Sequence, residues 1–338
     1  MTTWQIASGS YGRDYAEEFL RFGMAFVGGS IQIETIKKIR AEDRIILKRG
    51  QSKVVAVGRV VERGGTSVGY DDKPWLRDFD GWDLPAYCYV EWHKLEEPTK
   101  VRGLTRATIQ QVHQPRLVEL AEQVIRDVPG RKEYDPDPAP TKKIEDSEIL
   151  EFLIKEGLRP AAAEDLTAAF RRIRLLAQYY YHECDWNDIR EHETRTFLIM
   201  PLLLGLGWAE QQVKIELPAG KKGRIDVACF DRPYRRDKKG SPNNKDCVLI
   251  LENKGFRTGL DYAPEQAKQY AEEFPNCRVV VVSNGYCYKT YPKVDGIFPL
   301  SPSAYLNLLN PQSHYPLNPE AVEGALEVLR QLLPQSWR

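Results

Sequence analysis

CVLILENK, residues 247–254, is an apolar run that stops abruptly in Glu252, Asn253 and Lys254. The run is short and β-branched, as a buried strand is. Residues i and i+2 of a strand face the same side, so Glu252 and Lys254 project together and Asn253 points away. Charges at the end of a buried strand are costly unless paired or hydrated. Twenty-six residues earlier, Asp226 sits in RIDVACF (224–230), just after the glycine turn 220–223. Two carboxylates and one amine converging at a sheet end suit Mg²⁺ or Mn²⁺, held through the oxygens of Asp226 and Glu252. Such a cation stabilises a pentavalent phosphate and acidifies water, and Lys254 would position or deprotonate that water. The plainer alternative is a surface turn with solvated charges.

Outward from this strand, the texture of the third region (188–300) predicts an apolar-rich helix over Glu191–Leu206. Strands follow at VKIEL (213–217), RIDVACF, CVLILENK and RVVVVSNG (278–285), with a helix over Glu265–Glu273. This order implies a mixed sheet flanked by helices. Gln266 and Tyr270 are four apart and share a helix face. A tail (301–338) carries an amphipathic helix over Glu320–Leu333. Residues 101–187 read as a helical connector, with helices at Pro115–Val128, Ser147–Gly157 and Ala161–Tyr181 and a Pro- and charge-rich linker at 130–143. Residues 1–100 hold short strands, DRIILK (43–48), KVVAVGRVVE (53–62) and AYCYVEW (86–92), with a helix over Asp14–Phe22. Gly58 inside its strand marks a bulge or a close approach. The fold class expected is α/β multidomain: a small N-terminal β-barrel with helices, a helical connector, and a C-terminal mixed sheet.

Composition narrows the function. The 338 residues include 48 Lys+Arg and 48 Asp+Glu, so the formal net charge is zero, which argues against bulk electrostatic coating of nucleic acid. No apolar run approaches the ~20 residues that span a bilayer. The start, MTTWQIASGS, lacks a signal-peptide pattern. Six cysteines without a Cys-x-x-Cys pair read as buried thiols in a reducing cytoplasm. No G-x-x-x-x-G-K-[ST] occurs, so no NTP-driven step is expected. The local exception to neutrality is Lys214–Lys245, with ten basic residues against four acidic. Arg232, Arg235, Arg236, Lys238 and Lys239 in DRPYRRDKKGSPNNKD (231–246) are the expected contacts to a DNA backbone; a solvated charge run is the bland alternative.

The order Glu193-T-R-T-x-x-x-x-Pro201-L-L, GLGW (205–208), GRID (223–226), LENK (251–254), QAKQY (266–270) and VVSNG (281–285) resembles a PD-(D/E)xK nuclease. It is most similar to the nuclease domain at the N-terminus of type I restriction R subunits. The resemblance covers about 110 residues. It implies Asp226, Glu252 and Lys254 as the metal-binding and catalytic set, Glu193 as the additional helix carboxylate, and Gln266 and Tyr270 as the accessory Gln-x-x-x-Tyr motif. Asn253 stands where small residues are commoner, and 231–246 lengthens the gap between Asp226 and Glu252.

The N-terminal region is dense in aromatics. W-x-x-x-x-G near the start, FVGGS (26–30), KVVAVGRVVE and DGWDLPAYCYVEW (80–92) resemble the EVE/YTH-like branch of the PUA superfamily. That resemblance implies an aromatic pocket for a flipped, modified base. Trp82 and Trp75 are the stacking candidates, Asp83 the acceptor for an exocyclic amine, and Ser8, Ser10, Tyr11 and Ser30 further polar candidates. Together the two resemblances imply a modification-dependent endonuclease acting on double-stranded DNA with methylated or hydroxymethylated bases, as in type IV-like restriction and phage defence. Cutting both strands with one site per chain favours a homodimer. The competing readings are a nucleic-acid-binding protein with a structural nuclease fold, and an RNA-directed nuclease.

Overall fold

The computed structural model describes residues 1–219, 223–236 and 244–337. The chain divides into two compact units, Met1–Pro138 and Ala139–Arg338. In the first unit the elements run β1 (Thr3–Ala7), α1 (Ala16–Phe22), β2 (Met24–Val27), α2 (Ser30–Ile36), β3 (Arg44–Arg49), β4 (Lys53–Val60), β5 (Val68–Tyr70), β6 (Ala86–Lys100), β7 (Ile109–Gln111) and α3 (Pro115–Asp127). The strands form a mixed sheet in the order β2-β6-β4-β3-β1-β7, curled into a half-barrel, with β5 on β6. One face packs an aromatic core: Phe19 on Phe26, and Trp75 against Phe22, Phe26 and Phe79. The other side packs Ile46, Val54 and Val57 against Leu117, Ala121 and Val124 of α3. Helix α3 and strand β7, expected in a connector, therefore belong to this unit.

Gly58 resolves as a close approach. It pairs with Trp92 across β4 and β6, and a Cβ there would meet Val90 Cγ1 at 2.1 Å and Trp92 Cε3 at 2.7 Å. The bulges of β4 lie elsewhere, at Val54/Ala56 and opposite Leu47/Lys48. The stretch expected as a free linker is docked at both ends. Tyr134 Oη accepts the Trp92 N–H at 3.0 Å, Arg63 stacks on its ring, and Asp135 pairs with Arg21 at 2.6 Å. Beyond the division, the Lys142 carbonyl accepts the Ser313 N–H at 2.7 Å within the second unit.

The second unit runs α4 (Asp146–Lys155), α5 (Pro160–Glu183), α6 (Glu191–Thr194), α7 (Met200–Gly205), β8 (Val213–Ala219), β9 (Gly223–Phe230), β10 (Cys247–Asn253), α8 (Ala263–Ala271), β11 (Val279–Ser283), β12 (Cys287–Pro292), β13 (Ala304–Asn307) and α9 (Ala325–Leu332). Its sheet has the order β13-β12-β11-β10-β9-β8; β10 and β11 are parallel, joined through α8, and the other pairs are antiparallel. The expected four strands are present. The sheet continues through β12 and β13, so part of the expected tail completes it. The expected helix over Glu320–Leu333 shortens to α9, because Gly324 packs on the Gln312 and Ser313 backbone, where a Cβ would lie 2.2 Å from the Gln312 carbonyl oxygen. Between α6 and α7 the helix widens into a π-turn over Arg195–Ile199, with the Met200 N–H donated to the Arg195 carbonyl. Among the described residues no helix is long and apolar enough to cross a membrane.

Gly58→Ala forces the Val90 side chain and the Trp92 ring out of their places. We expect a loss of about 2–3 kcal/mol in chemical denaturation; an unchanged midpoint would show that the ring is free to move aside.

Candidate active site

The ladder sets the site. The last pair between β9 and β10 is Val227 with Leu251, so Asp226 and Glu252 stand opposite each other one step on. On the other side of β9, Glu216 faces Asp226 between the pairs Ile215–Val227 and Leu217–Ile225. Three carboxylates thus form a row across three neighbouring strands, at the ~4.8 Å strand spacing. Like charges opposite each other repel, so counter-charges are needed. Arg195 Nη1 lies 2.6 Å from Glu216 Oε1 and 3.3 Å from Asp226 Oδ1. Lys254 Nζ donates to Glu252 Oε1 at 2.6 Å. Glu216 has φ of 55°, a left-handed conformation that costs a non-glycine residue about 1–2 kcal/mol.

Asn253 faces away from Glu252 and Lys254, as the strand period requires. Its backbone N–H donates to Asp226 Oδ2 at 2.7 Å. Its side chain is buried, Nδ2 donating to the Glu191 carbonyl at 2.5 Å and Oδ1 accepting from Thr194 Oγ1 at 2.9 Å. That bond brings the N-terminus of α6 to the strand end. The helix carboxylate in the field of Asp226, Glu252 and Lys254 is Glu191. Glu193, the expected one, is engaged at its own helix start, where Oε2 accepts the Arg190 N–H at 2.7 Å. Sequence reading missed Glu191, Arg195 and Glu216; only the charge pattern EHETR (191–195) hinted at the first two.

Burial is the main cause that pushes Glu252 up to about 7; the Lys254 hydrogen bond works against it, and the charges of Asp226 and Glu191 add to it. Burial likewise raises Asp226, opposed by the Asn253 N–H and by Lys254 and Arg195, and it raises Glu191. For Lys254, burial disfavours the ammonium, but the Glu252 bond and the nearby carboxylates prevail and its pKa rises. Four carboxylates (191, 216, 226, 252) surround two cations, Arg195 and Lys254; the largely exposed Arg224 lies 3.9 Å from Glu216.

This donor set fits a divalent cation. Glu252 is 2% exposed, and its Oε2 is buried without a hydrogen-bond partner. Beside Asp226, that oxygen can take a proton or a cation. Among the described residues no three His, Cys, Asp or Glu side chains close a metal cage. Mg²⁺ is commonly held by one or two carboxylates, with water and phosphate oxygens completing the shell.

Gln266 Nε2 donates to Tyr270 Oη at 3.2 Å, on one face of α8 as expected. The Tyr270 ring lies over Gly223, where a Cβ would be 2.5 Å from Cε1, so the pair sits at the start of the Asp226 strand. The basic insertion falls elsewhere. It leaves from Phe230 and returns at Cys247, five residues or ~17 Å along the strand from Glu252. Arg232, Arg235 and Arg236 are exposed near that remote end. Lys238 and Lys239 lie outside the described residues. Arg224 is an exposed cation at the carboxylate end.

In the first unit, Trp75 is 5% exposed and belongs to the aromatic core. Trp82 is half-buried, with the Arg13 guanidinium 4.2 Å above its ring and Tyr15 edge-on at 6.2 Å. Arg13 is buried and was missed by the sequence reading. Ser8 is buried and donates to Asp14 Oδ1 at 2.9 Å; Ser10 and Tyr11 are exposed on the same loop. Gly28 packs so closely on the Asp83 carbonyl that a Cβ would lie 2.0 Å from it, which places the segment leading into α2 at Ser30 beside the Trp82 loop. The Asp83 carboxylate pairs with Arg77 at 2.8 and 2.9 Å.

No family model matches the chain, and no curated protein matches it. Among solved structures, it is similar to a fragment described as an HsdR subunit of a type I restriction enzyme from Vibrio vulnificus YJ016. The identity is 17% and the TM-score 0.25, over 32% of this chain and 22% of that one. The chain therefore spans about a fifth of that fragment, and a likeness of this extent assigns neither fold nor activity.

A carboxyl whose pKa is higher folded than unfolded binds its proton more tightly when folded. That stabilisation is complete below Glu252's ordinary 4.5 and is lost as pH rises through about 7. Without divalent cations, wild-type protein should lose stability relative to Glu252→Gln between pH 5 and pH 8, by up to about 3 kcal/mol. Urea unfolding followed by tryptophan fluorescence measures this, and a pH-independent difference would refute the buried-carboxyl account.

Proposed function

We propose that this chain is a divalent-cation-dependent endonuclease that acts on double-stranded DNA carrying modified bases, a type IV-like restriction enzyme. The observation that carries the reading is the row of carboxylates closed by Lys254, with an unpartnered buried oxygen on Glu252. A cation held by Asp226 and Glu252 would supply Lewis acidity toward a phosphoryl oxygen and a more acidic water. The chain's own groups do the rest. Asn253 N–H and Arg195 fix the two oxygens of Asp226. Lys254, anchored on Glu252, presents its remaining donors to the attacking water or to the phosphate. Tyr270 and Gln266, beside Gly223 at the start of the Asp226 strand, would position a DNA strand. Hydrolysis by this set needs no NTP.

The choice of modified DNA as substrate rests on Trp82. A half-buried indole beneath a guanidinium, reached by two loops, suits a flipped base. Stacking on such a ring contributes about 1–3 kcal/mol per base. Mg²⁺ or Mn²⁺ is the cofactor of this reading, and a homodimer would deliver one site to each strand.

The deciding experiment digests otherwise identical duplexes, unmodified, cytosine-methylated, hydroxymethylated or adenine-methylated, with Mg²⁺ or Mn²⁺. Cutting of one modified duplex, abolished by EDTA and by Lys254→Ala or Asp226→Ala with DNA binding retained, is expected. Cutting by those variants, or in EDTA, would sink the assignment. Trp82→Ala should lose the preference among duplexes without changing Mn²⁺ affinity; an intact preference would remove Trp82 from the pocket.

A further inference from the structure

We propose that the outward face of α5 is the contact between two copies of this chain, the two helices packing antiparallel about a twofold axis at Ala168. The inference stands apart from the nuclease reading, since a chain that cuts nothing would still pair this way.

Helix α5 has 24 residues and turns one face inward, with Leu166, Phe170, Ile173 and Ala177 buried. At about 100° per residue, Ala168, Leu175 and Tyr179 fall within roughly 20° of one line on the opposite face. There Leu175 is 60% and Tyr179 55% exposed, and a groove of about 570 Å³ follows Thr167, Ala168 and Leu175 between flanking charges. Glu164 and Arg171 stand on one flank, Asp165 and Arg172 on the other. Each acid is seven residues, about 10 Å along the helix, from the arginine of its own flank, whereas helix neighbours are three or four apart. Among the described residues none of these four side chains makes an ion pair. A second copy laid antiparallel about Ala168 brings the charges together. Glu164 then stands level with the partner's Arg171, and Asp165 with the partner's Arg172, each to within roughly 1.5 Å along the axis. The twofold axis repeats both pairs, as a self-complementary contact requires. In a parallel pair Glu164 would meet the partner's Asp165 and Arg171 the partner's Arg172, like against like. The charge order therefore fits this same helix, in one direction. A DNA backbone drawn to the arginines would be repelled by the acids two turns away. Ala168 on the axis lets the backbones come to the ~8–10 Å of packed helices, and Leu175 then covers the partner's Ala161.

The test measures the mass of the full chain in solution by sedimentation equilibrium and light scattering at low salt. The wild-type chain at micromolar concentration should have twice the monomer mass. Arg171→Glu with Arg172→Glu makes the face wholly acidic, and Glu164→Arg with Asp165→Arg makes it wholly basic. Each double variant should weaken self-association on the order of a hundredfold or more, because like charges then meet across the axis. Mixing the two double variants should restore a dimer of one acidic and one basic chain, which misfolded chains would not form. A chain carrying all four exchanges should again pair with itself, since every opposition is kept with its signs reversed. A monomeric wild type, double variants that remain dimeric, or a mixture that remains monomeric would each overturn the proposal. None of these results bears on cleavage, which the Asp226 and Lys254 variants test separately.

Discussion

Asn253 ties together three elements that would otherwise only abut. Its backbone N–H grips Asp226 on β9, its own strand ends in the Glu252–Lys254 pair, and its amide holds the Glu191 carbonyl and the Thr194 hydroxyl on α6. The residue is wholly buried, so each of these bonds is made away from water and leaving one unmade is costly. A small residue here would let the strand end and the helix start slide against each other. With the amide in place, a shift of either element by a fraction of an ångström breaks a buried bond. The carboxylates therefore inherit their spacing from a side chain that points away from them.

The rest of the site runs against stability. A row of like charges, a carboxyl pushed up to about 7 by burial, and a non-glycine residue in left-handed conformation are each unfavourable to the folded chain. They are compensated elsewhere: the hydrophobic strands β10 and β11 are buried throughout, and three thiols, Cys229 on β9, Cys247 on β10 and Cys277 just before β11, are held protonated by burial and behave as small apolar groups. Natural proteins sit a small margin above the stability that function requires, so a strained and charge-rich site implies an otherwise well-packed sheet.

The strands that carry Asp226, Glu252 and Lys254 were legible because burial on both faces writes a continuous apolar run, and the sudden charges after it mark its end. Their order also implied the mixed sheet. What the sequence hid depends on tertiary register. Nothing local distinguishes Glu191 from Glu193; the choice is made by which carbonyl meets the Asn253 amide. Glu216 reads as one charge in an edge strand until β8 is laid beside β9. β12 and β13 escaped because their alternation is masked by buried polar residues, Lys289 and Thr290 among them. In the first unit, Trp75 and Trp82 flank one acidic loop and look equivalent, yet the 3₁₀ turn at Pro74–Asp78 sends Trp75 inward among Phe22, Phe26 and Phe79. Within 130–143, which has the composition of a linker, Tyr134 and Asp135 are anchored on Trp92, Arg63 and Arg21 of the first unit, contacts that composition does not reveal.

The connection that leaves Phe230 and returns at Cys247 does so at the end of the sheet remote from the carboxylates. Closing a longer loop costs little, about 0.6 kcal/mol for each doubling of its length. The alignment of Asp226 with Glu252 is set by ladder pairs that lie between that loop and the site. Residues can therefore be added, removed or recharged over 231–246 without moving one carboxylate against the other. Divergence among such chains can alter the charge of that connection while the geometry of the carboxylates stays constant, so the two features are separately evolvable.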